Sequence, residues 1–249
     1  MLFSRLLFVS LALSLLTANV FSLDPQPGKQ IAASLEVPAV EGDAKEKINF
    51  WLFAPANHAE KEKLPLLIFL HGAGERGDNL DKVKVHGPPK IVEGKADFPF
   101  VVISPQCPNG RWWNAKQIVS LIEQAAADPK LKIDPDQIHL TGLSMGGFGS
   151  WAVAAEIPGK LATVTPICGG GDPKTAGKIK ALPIWVFHGD KDSAVNIKKS
   201  EEMVAAVKAE GGSPIFTVYP GVGHDSWTAT YASPLLYDWM LAHRRKSDQ

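Results

Sequence analysis

The fold of this chain is decided by residues 137–155, which have the sequence QIHLTGLSMGGFGSWAVAA. Residues 137–141 are mostly apolar and predict a short strand, whereas the small side chains of residues 147–155 predict a helix. Ser144 lies between them in a Gly-x-Ser-x-Gly pattern. Glycines are expected on both sides of such a serine because a Cβ would clash where a strand and a helix crowd one turn. The stretch therefore predicts a nucleophile elbow, which presents a reactive serine at the end of a strand.

Further apolar runs flank this stretch, and they are continuous rather than alternating. They cover residues 64–70, 100–104, 161–167, 182–187 and 215–219. Continuous hydrophobicity indicates strands that are buried on both faces, as in a parallel sheet. Residues 31–37 and 47–53 precede these runs and predict two edge strands.

Helical patterns alternate with the strands. Asn114 and Asn196 are suitable N-caps for two helices, and residues 234–245 predict an amphipathic helix. This alternation predicts an α/β fold, with one domain over residues 23–249 and a mostly parallel, doubly wound sheet flanked by helices. Residues 169–181 are too few for a large lid, so we expect a minimal lid and an open site.

Residues 1–22 have the pattern of a secretory signal peptide. A positive charge at Arg5 precedes an apolar run over residues 6–16, and small residues lead to an expected cleavage near Ser22. The run is too short for a membrane-spanning helix, and no second hydrophobic segment follows, so no stable membrane anchor is expected. The pattern predicts an exported protein, either periplasmic or extracellular.

Charge and cysteine content narrow the class of partner. The chain has 26 Lys and Arg residues against 26 Asp and Glu residues, and this balance argues against a nucleic-acid partner. Cys107 and Cys168 each follow a predicted strand. Export permits a disulfide between them, and the alternative is two small, buried apolar side chains. No paired-cysteine or His-x-x-x-His pattern is present, so we predict no metal and no cofactor.

Two later strand ends supply partners for the serine, which needs a base to remove its proton. In an elbow fold the acidic residue and the histidine follow the serine in that order. Asp192 follows the strand at residues 182–187, and His224 follows the strand at residues 215–219. We expect His224 to act as general base and Asp192 to orient its imidazole. Asp190 is the alternative carboxylate, but its position favours a role in shaping the turn.

The tetrahedral intermediate of such a reaction needs backbone donors for its oxyanion. The N–H of Met145, directly after the serine, is one predicted donor. The second is expected from residues 71–77, HGAGERG, which we call the Gly-rich loop; Ala73 is the favoured donor and Gly74 the alternative. His71 and His188 each precede a glycine at a strand end, and both are expected to be structural.

Gly74, Gln106, Trp113 and Trp227 are the candidates for contact with substrate. An aromatic wall built from Trp113 and Trp227, joined by Trp112, would suit an acyl or aryl group. The alternative for the tryptophans is packing under loops, and this is the favoured interpretation for Trp112.

These motifs resemble those of the α/β-hydrolase superfamily over essentially all of residues 23–249. Within it, the chain is most similar to the small, lidless phospholipase/carboxylesterase and dienelactone-hydrolase-like group. The Gly-rich loop, SPQCP at residues 104–108 with the tryptophan pair at 112–113, and residues 231–239 look like parts of exported predicted peptidases. Those proteins are related to polyhydroxybutyrate-depolymerase-like and feruloyl-esterase-like proteins. The resemblance implies a hydrolase that forms an acyl-enzyme intermediate.

The predicted function is hydrolysis of a small-molecule or carbohydrate-linked carboxylic ester by Ser144, His224 and Asp192. A serine peptidase of the prolyl-oligopeptidase-like type is the alternative, since it would use the same catalytic groups. A non-catalytic binding protein on the same fold is the third hypothesis. The presence of every catalytic residue type argues against it.

Overall fold

Residues 23–42 and 44–245 are described by the computed structural model, and they form one eight-stranded sheet. In chain order the strands are β1 (Gln30–Pro38), β2 (Lys45–Phe53), β3 (Leu64–Leu70), β4 (Val101–Pro105), β5 (Ile133–Leu143), β6 (Thr163–Ile167), β7 (Trp185–Gly189) and β8 (Ile215–Tyr219). They lie side by side in the order β1-β2-β4-β3-β5-β6-β7-β8. The pairs β1–β2 and β2–β4 are antiparallel, and every later pair is parallel. The predicted α/β fold with a mostly parallel sheet is confirmed.

Helices and short turns connect the strands. In chain order the α-helices are α1 (Gly87–Ile91), α2 (Ala115–Ala127), α3 (Met145–Glu156), α4 (Ala176–Ile179), α5 (Lys198–Ala209), α6 (Trp227–Ala232) and α7 (Pro234–Leu241). Turns of 3-10 helix occupy His58–Glu60, Ala73–Glu75, Leu80–Val85, Pro158–Lys160 and Pro173–Thr175. Between β6 and β7 only α4 and one such turn occur, which agrees with the predicted minimal lid. Among the described residues, no helix combines the length and apolarity needed to cross a membrane. The predicted signal peptide, residues 1–22, lies outside the described residues.

Two hydrophobic cores lie on opposite faces of the sheet because successive residues of a strand point to opposite sides. In β3, Leu66 and Ile68 belong to one core, together with side chains of α2, α3 and α5. Leu67 and Phe69 belong to the other core, together with side chains of α6 and α7. All of β3 is buried, as its continuous apolar run predicts. The sheet is therefore covered on both sides, and its functional groups emerge at strand ends.

The prediction that residues 47–53 form an edge strand was wrong. β2 pairs along its whole length with β1, and its last residues, Phe50–Phe53, also pair with β4. Residues Lys45–Ile48 of β2 lie outside its register with β4, and the first half of β2 alternates in burial. That half has the sequence pattern of an edge, whereas the buried second half lies inside the sheet.

The terminal helix is shorter than residues 234–245, because α7 ends at Leu241. Beyond it, the Arg244 side chain binds Asp134 at 2.9 Å, and the Arg245 N–H donates to the Asp136 carbonyl at 2.8 Å. These contacts draw the chain across the start of β5 and replace the last predicted helical turn.

The elbow between β5 and α3 is a close backbone contact. A Cβ on Gly146 would lie 1.8 Å from the carbonyl oxygen of Leu70, at the end of β3. A Cβ on Gly142 would lie 2.4 Å from the carbonyl oxygen of Gly146. Real Cβ atoms do not approach backbone this closely, so only glycine permits α3 to begin where it does.

Replacing Gly146 with alanine is therefore expected to destabilise the fold by more than about 4 kcal/mol, or to prevent folding, because backbone must move to admit the methyl group. Urea unfolding followed by circular dichroism measures the effect. Gly159→Ala is the matched control, since a Cβ there meets nothing within 4 Å. Similar stabilities for the two variants would contradict the close contact.

A histidine is buried inside the sheet, in β5. His139 is fully buried, its Nδ1 lies 2.9 Å from Thr163 Oγ1, and its ring packs edge-on against Phe100. Burial lowers the pKa of His139 to about 3. The folded protein therefore holds this ring neutral across a pH range in which an unfolded chain protonates it.

The sign of the resulting pH dependence follows from this lowered pKa. The stability due to the neutral ring is complete above about pH 6.5 and is lost as the pH falls toward the folded-state pKa. In urea unfolding, His139→Phe should lose about 2–3 kcal/mol less stability than the parent between pH 7 and pH 4.5. Parallel losses in the two proteins would show that His139 does not contribute.

Candidate active site

The predicted catalytic and oxyanion residues lie in loops that follow the carboxyl ends of neighbouring parallel strands. Ser144 follows β5, the Gly-rich loop follows β3, Asp192 follows β7 and His224 follows β8. In α/β sheets this edge is where ligands bind. The sheet topology thus brings together residues that are far apart in the chain.

Ser144 occupies the strained turn that its glycines predict. Its φ is +52° and its ψ is −116°, and it is the N-cap residue of α3. A positive φ is uncommon for a residue with a side chain and marks stored strain. The Ser144 N–H donates to the Ile167 carbonyl of β6 at 2.9 Å, which ties the elbow to the neighbouring strand.

Ser144, His224 and Asp192 form a continuous hydrogen-bonded chain. Ser144 Oγ lies 2.9 Å from His224 Nε2, and His224 Nδ1 lies 2.7 Å from Asp192 Oδ2. Ser144 and His224 are partly exposed, whereas Asp192 is buried. This order of groups is the arrangement that activates a serine hydroxyl, with the carboxylate fixing the tautomer of the imidazole.

The charge on Asp192 is stabilised by its surroundings. Burial by itself would raise the pKa of this carboxyl group, but bonds from His224 and from the backbone of Val195 and Ala194 outweigh it and lower the pKa. Oδ1 accepts the Ala194 N–H at 2.9 Å and the Val195 N–H at 2.8 Å. Asp192 is therefore held as an anion facing His224.

Asp190, the alternative carboxylate, has a different role. Its Oδ1 accepts the Gly221 N–H at 2.7 Å and so joins the loops that follow β7 and β8. No contact between Asp190 and His224 is present among the described residues. The geometry thus places Asp192 in the chain of hydrogen bonds and Asp190 in the turn.

A second histidine binds the same carboxylate, which the sequence analysis did not foresee. His188 is fully buried, and its Nε2 lies 3.1 Å from Asp192 Oδ2 and 2.9 Å from the Val195 carbonyl oxygen. Both neighbours are acceptors, so Nε2 carries a proton and donates it. His188 Nδ1 lies 2.7 Å from Ser200 Oγ. The only sequence signal for this role is the position of His188 at the end of β7.

The Gly-rich loop lies directly against the elbow. A Cβ on Gly72 would lie 2.8 Å from Leu143 Cδ1 and 3.7 Å from Ser144 Cβ. Ala73 begins a 3-10 turn and Met145 begins α3, so neither N–H has an acceptor within its own helix. The two predicted oxyanion donors therefore belong to segments that meet beside Ser144.

His71 holds the Gly-rich loop in place. It is fully buried, its Nδ1 donates to the Gly72 carbonyl at 2.6 Å, and its Nε2 accepts the Cys107 N–H at 3.0 Å. Burial lowers the pKa of His71 to about 4, so the ring is neutral near pH 7. This agrees with the structural role expected from the sequence.

Gln106 and Gly74, both predicted to contact substrate, lie in contrasting places. Gln106 is buried, and its Nε2 donates to the carbonyl oxygens of Glu75 at 3.0 Å and Asn79 at 2.7 Å. Its amide group thus braces the end of the Gly-rich loop. Gly74 is exposed, and a Cβ there would meet nothing within 4 Å. The structure brings Gly74, but not the Gln106 amide, to an open surface.

The exposure of Trp112 and Trp113 differs from what the sequence predicts. Trp113 is half-buried, and its indole N–H donates to the His71 carbonyl at 3.0 Å. Trp112, for which packing under loops is the favoured interpretation, is 61% exposed. Trp113 therefore packs under the Gly-rich loop, and Trp112 is open to solvent.

Trp227 lies beside His224. Its ring meets the His224 ring at right angles, with centroids 5.1 Å apart, and lies 5.5 Å from the His86 ring. It lines a cavity of about 350 Å³ together with His86, Gly87, Lys90, Ile91, Thr228, Tyr231 and Ala232. The cavity suits an apolar group of a ligand that is bound at Ser144.

Cys168 lies close to Asp192 and His224. Its sulfur and the ligand atoms of Asp192 and His224 all lie within 4.8 Å of one another. Burial raises the pKa of the Cys168 thiol to about 12, whereas metal ligation requires the thiolate. Asp192 and His224 are already bonded to each other, so this cluster does not fit a metal ion. Cys107 and Cys168 are both free and buried, so they are not joined by a disulfide.

Known proteins resemble this chain in sequence. The bifunctional acetylxylan esterase/xylanase XynS20E of Neocallimastix patriciarum is 30% identical over 161 residues, which cover 60% of this chain and 22% of that protein. The crystal structure of a thermostable esterase is 30% identical, with a TM-score of 0.71 over 86% of this chain and 63% of that one. This chain therefore spans less than two thirds of either relative.

A more distant structure shares the fold alone. The acylaminoacyl peptidase of Pyrococcus horikoshii is 14% identical, with a TM-score of 0.62 over 88% of this chain and 43% of that one.

A sequence profile of the dienelactone hydrolase family matches residues 94–238, which include the elbow and the residues bonded to it. This chain belongs to the dienelactone hydrolase family.

Proposed function

We propose that this chain is an exported serine hydrolase that cleaves carboxylic esters with Ser144, His224 and Asp192. The observation that carries the proposal is the unbroken chain of hydrogen bonds from Ser144 Oγ through His224 to the Asp192 carboxylate. The elbow supports it as well, because the strained turn presents Oγ at the open edge of the sheet.

In the first half of the proposed reaction, His224 Nε2 takes the proton of Ser144 Oγ as the oxygen attacks the ester carbonyl carbon. The carbonyl oxygen becomes an oxyanion and accepts hydrogen bonds from the N–H groups of Met145 and Ala73. Collapse of this intermediate breaks the bond to the alcohol oxygen, which receives the proton from His224. The acyl group remains on Ser144.

In the second half, water replaces the alcohol. His224 takes a proton from the water, whose oxygen attacks the acyl carbon, and the same N–H groups stabilise the second oxyanion. The free acid leaves, and Ser144 regains its proton from His224. Asp192 stays ionised throughout and stabilises the imidazolium that forms in each half.

Esters are favoured over peptides as substrates. The two relatives at 30% identity are named as esterases, whereas the peptidase likeness concerns the fold alone. A peptide substrate also demands a protonated amine leaving group and close positioning, and the minimal lid between β6 and β7 offers little to provide it.

Removing the nucleophile tests the proposal directly. Ser144→Ala should abolish labelling by a fluorophosphonate probe and lower kcat for 4-nitrophenyl acetate by about 10³-fold or more. Peptide anilides serve as the competing substrates. Full activity in Ser144→Ala would refute the mechanism, and faster turnover of amides than of esters by the parent would favour the peptidase alternative.

The two neighbouring aspartates provide a matched pair of variants. Asp192→Asn should lower kcat by about 10³–10⁴-fold, because an amide in place of the carboxylate favours the wrong imidazole tautomer. Asp190→Asn should keep kcat within about threefold of the parent, since the Asp190 carboxylate accepts the Gly221 N–H, which an asparagine oxygen can also accept, and has no hydrogen bond to His224 among the described residues. Equal losses in the two variants would contradict the assigned roles.

Export is the remaining part of the proposal, and it is supported by the signal-peptide pattern in residues 1–22. Expression of the full chain in a host with a secretory pathway should release a protein that begins near Leu23. N-terminal sequencing measures this position. Retention of Met1 on the product would contradict export by this route.

A further inference from the structure

An open groove lies on the side of the site formed by the β1–β2 hairpin and the loop after β4. It has a volume of about 580 Å³ and is lined by Ala39, Val40, Glu41, Glu46, Arg111, Trp112, Trp113 and Asn114. We call it the Trp112 groove. Its volume falls within the range of about 300–1,000 Å³ that is typical of small-ligand sites.

The apolar part of this groove is held in place although it faces water. Trp112 is 61% exposed and Val40 is 47% exposed, so two of the six large apolar side chains that are exposed among the described residues share one groove. The Trp112 ring meets the Phe148 ring at 88°, with centroids 6.0 Å apart. This edge-to-face contact fixes the position of the indole while leaving most of it accessible.

The polar part of the groove is a pre-arranged set of donors and acceptors. Arg111 Nη1 lies 3.1 Å and 2.8 Å from the two carboxylate oxygens of Glu46, and Gln117 also contacts Glu46. Glu41 and Asn114 add an exposed carboxylate and a half-buried amide. These groups surround an aromatic surface with hydrogen-bonding partners of both kinds.

A sugar ring has the chemistry that matches this arrangement. Its faces carry C–H groups that pack on an indole, and its rim carries hydroxyl groups that both donate and accept hydrogen bonds. A phosphate-bearing ligand fits less well, because the carboxylates of Glu41 and Glu46 outnumber the one guanidinium of Arg111, which is already paired with Glu46. The groove therefore favours a neutral, polyhydroxylated ligand.

The groove is joined to the proposed catalytic groups. Phe148, which holds Trp112, lies in the first turn of α3, and its N–H donates to the Ser144 carbonyl at 3.1 Å. The Arg76 side chain donates to the Ala73 carbonyl at 3.0 Å and to the Arg111 carbonyl at 3.1 Å. Two residues that line the groove, Trp112 and Arg111, are thus each linked through one intervening residue to the elbow or to the Gly-rich loop.

We propose that the Trp112 groove binds the saccharide part of a carbohydrate-linked ester and so directs an ester group on that saccharide to Ser144. This inference rests on the proposed function, because it identifies the alcohol side of the substrate. The cavity beside Trp227, whose ring packs against His224, is left for the acyl side.

The first test compares two acetate esters. Acetylated xylo-oligosaccharide has a saccharide as its alcohol part, whereas 4-nitrophenyl acetate has none. In Trp112→Ala the ratio of their kcat/KM values should fall about tenfold, mainly through KM for the oligosaccharide, which is the effect of losing one aromatic stacking contact. Trp112→Tyr should restore most of the ratio. Leu235→Ala, which alters another exposed apolar residue, should leave it unchanged.

The second test measures binding without turnover. Unmodified xylo-oligosaccharide should bind Ser144→Ala in calorimetry, and adding Trp112→Ala should weaken this binding about tenfold. The proposal would be overturned if Trp112→Ala left the ratio of kcat/KM values unchanged, including the case in which both values fall equally. It would also be overturned if the oligosaccharide bound equally well with and without the Trp112 side chain. Absence of 4-nitrophenyl acetate hydrolysis by the parent would instead refute the proposed function, and the calorimetry would still report on the groove.

Discussion

The contact between the start of α3 and the end of β3 is the constraint on which the site depends. The Cα of Gly146 approaches the Leu70 carbonyl so closely that no side chain fits between them. A helix that begins this near the sheet leaves one residue to turn the chain, and Ser144 accepts a positive φ to do so. The same contact brings the first N–H of α3 beside the loop that leaves β3. The proposed nucleophile and the proposed oxyanion donors are therefore both placed by one packing arrangement.

A second constraint fixes the carboxylate. The loop after β7 supplies two N–H groups to Oδ1 of Asp192, and His188 donates to Oδ2, so three of its four bonds come from β7 and the residues that follow it. Only the fourth bond is to His224. The carboxylate is thus positioned by bonds that do not involve His224. Such support by surrounding groups is what keeps a proton-transfer geometry within tolerance.

The sequence predicts those parts of the fold that depend on backbone spacing and the order of residues. Continuous apolar runs identify the parallel strands, and the order Ser144, Asp192, His224 identifies the groups that the sheet brings together. Side-chain direction in loops carries no such periodicity. The sequence therefore does not distinguish Trp112 from Trp113, or show that the Gln106 amide points beneath the Gly-rich loop. Likewise, the first half of β2 has the alternating pattern of an edge strand, so the sequence does not show that the second half lies inside the sheet.

Because the lid is minimal, the rim of the site consists of loops that the core does not position. The loop after β4 is held from below instead: His71 binds its Cys107 N–H, Trp113 binds the His71 carbonyl, and Arg76 binds the Arg111 carbonyl. These bonds run from the Gly-rich loop, so the segment that carries Trp112 is anchored to the segment that carries the proposed oxyanion donor. A change in the loop after β4 should therefore alter substrate preference. We therefore expect the proposed selectivity of this open site to depend on His71, which binds both the Gly-rich loop and the loop after β4.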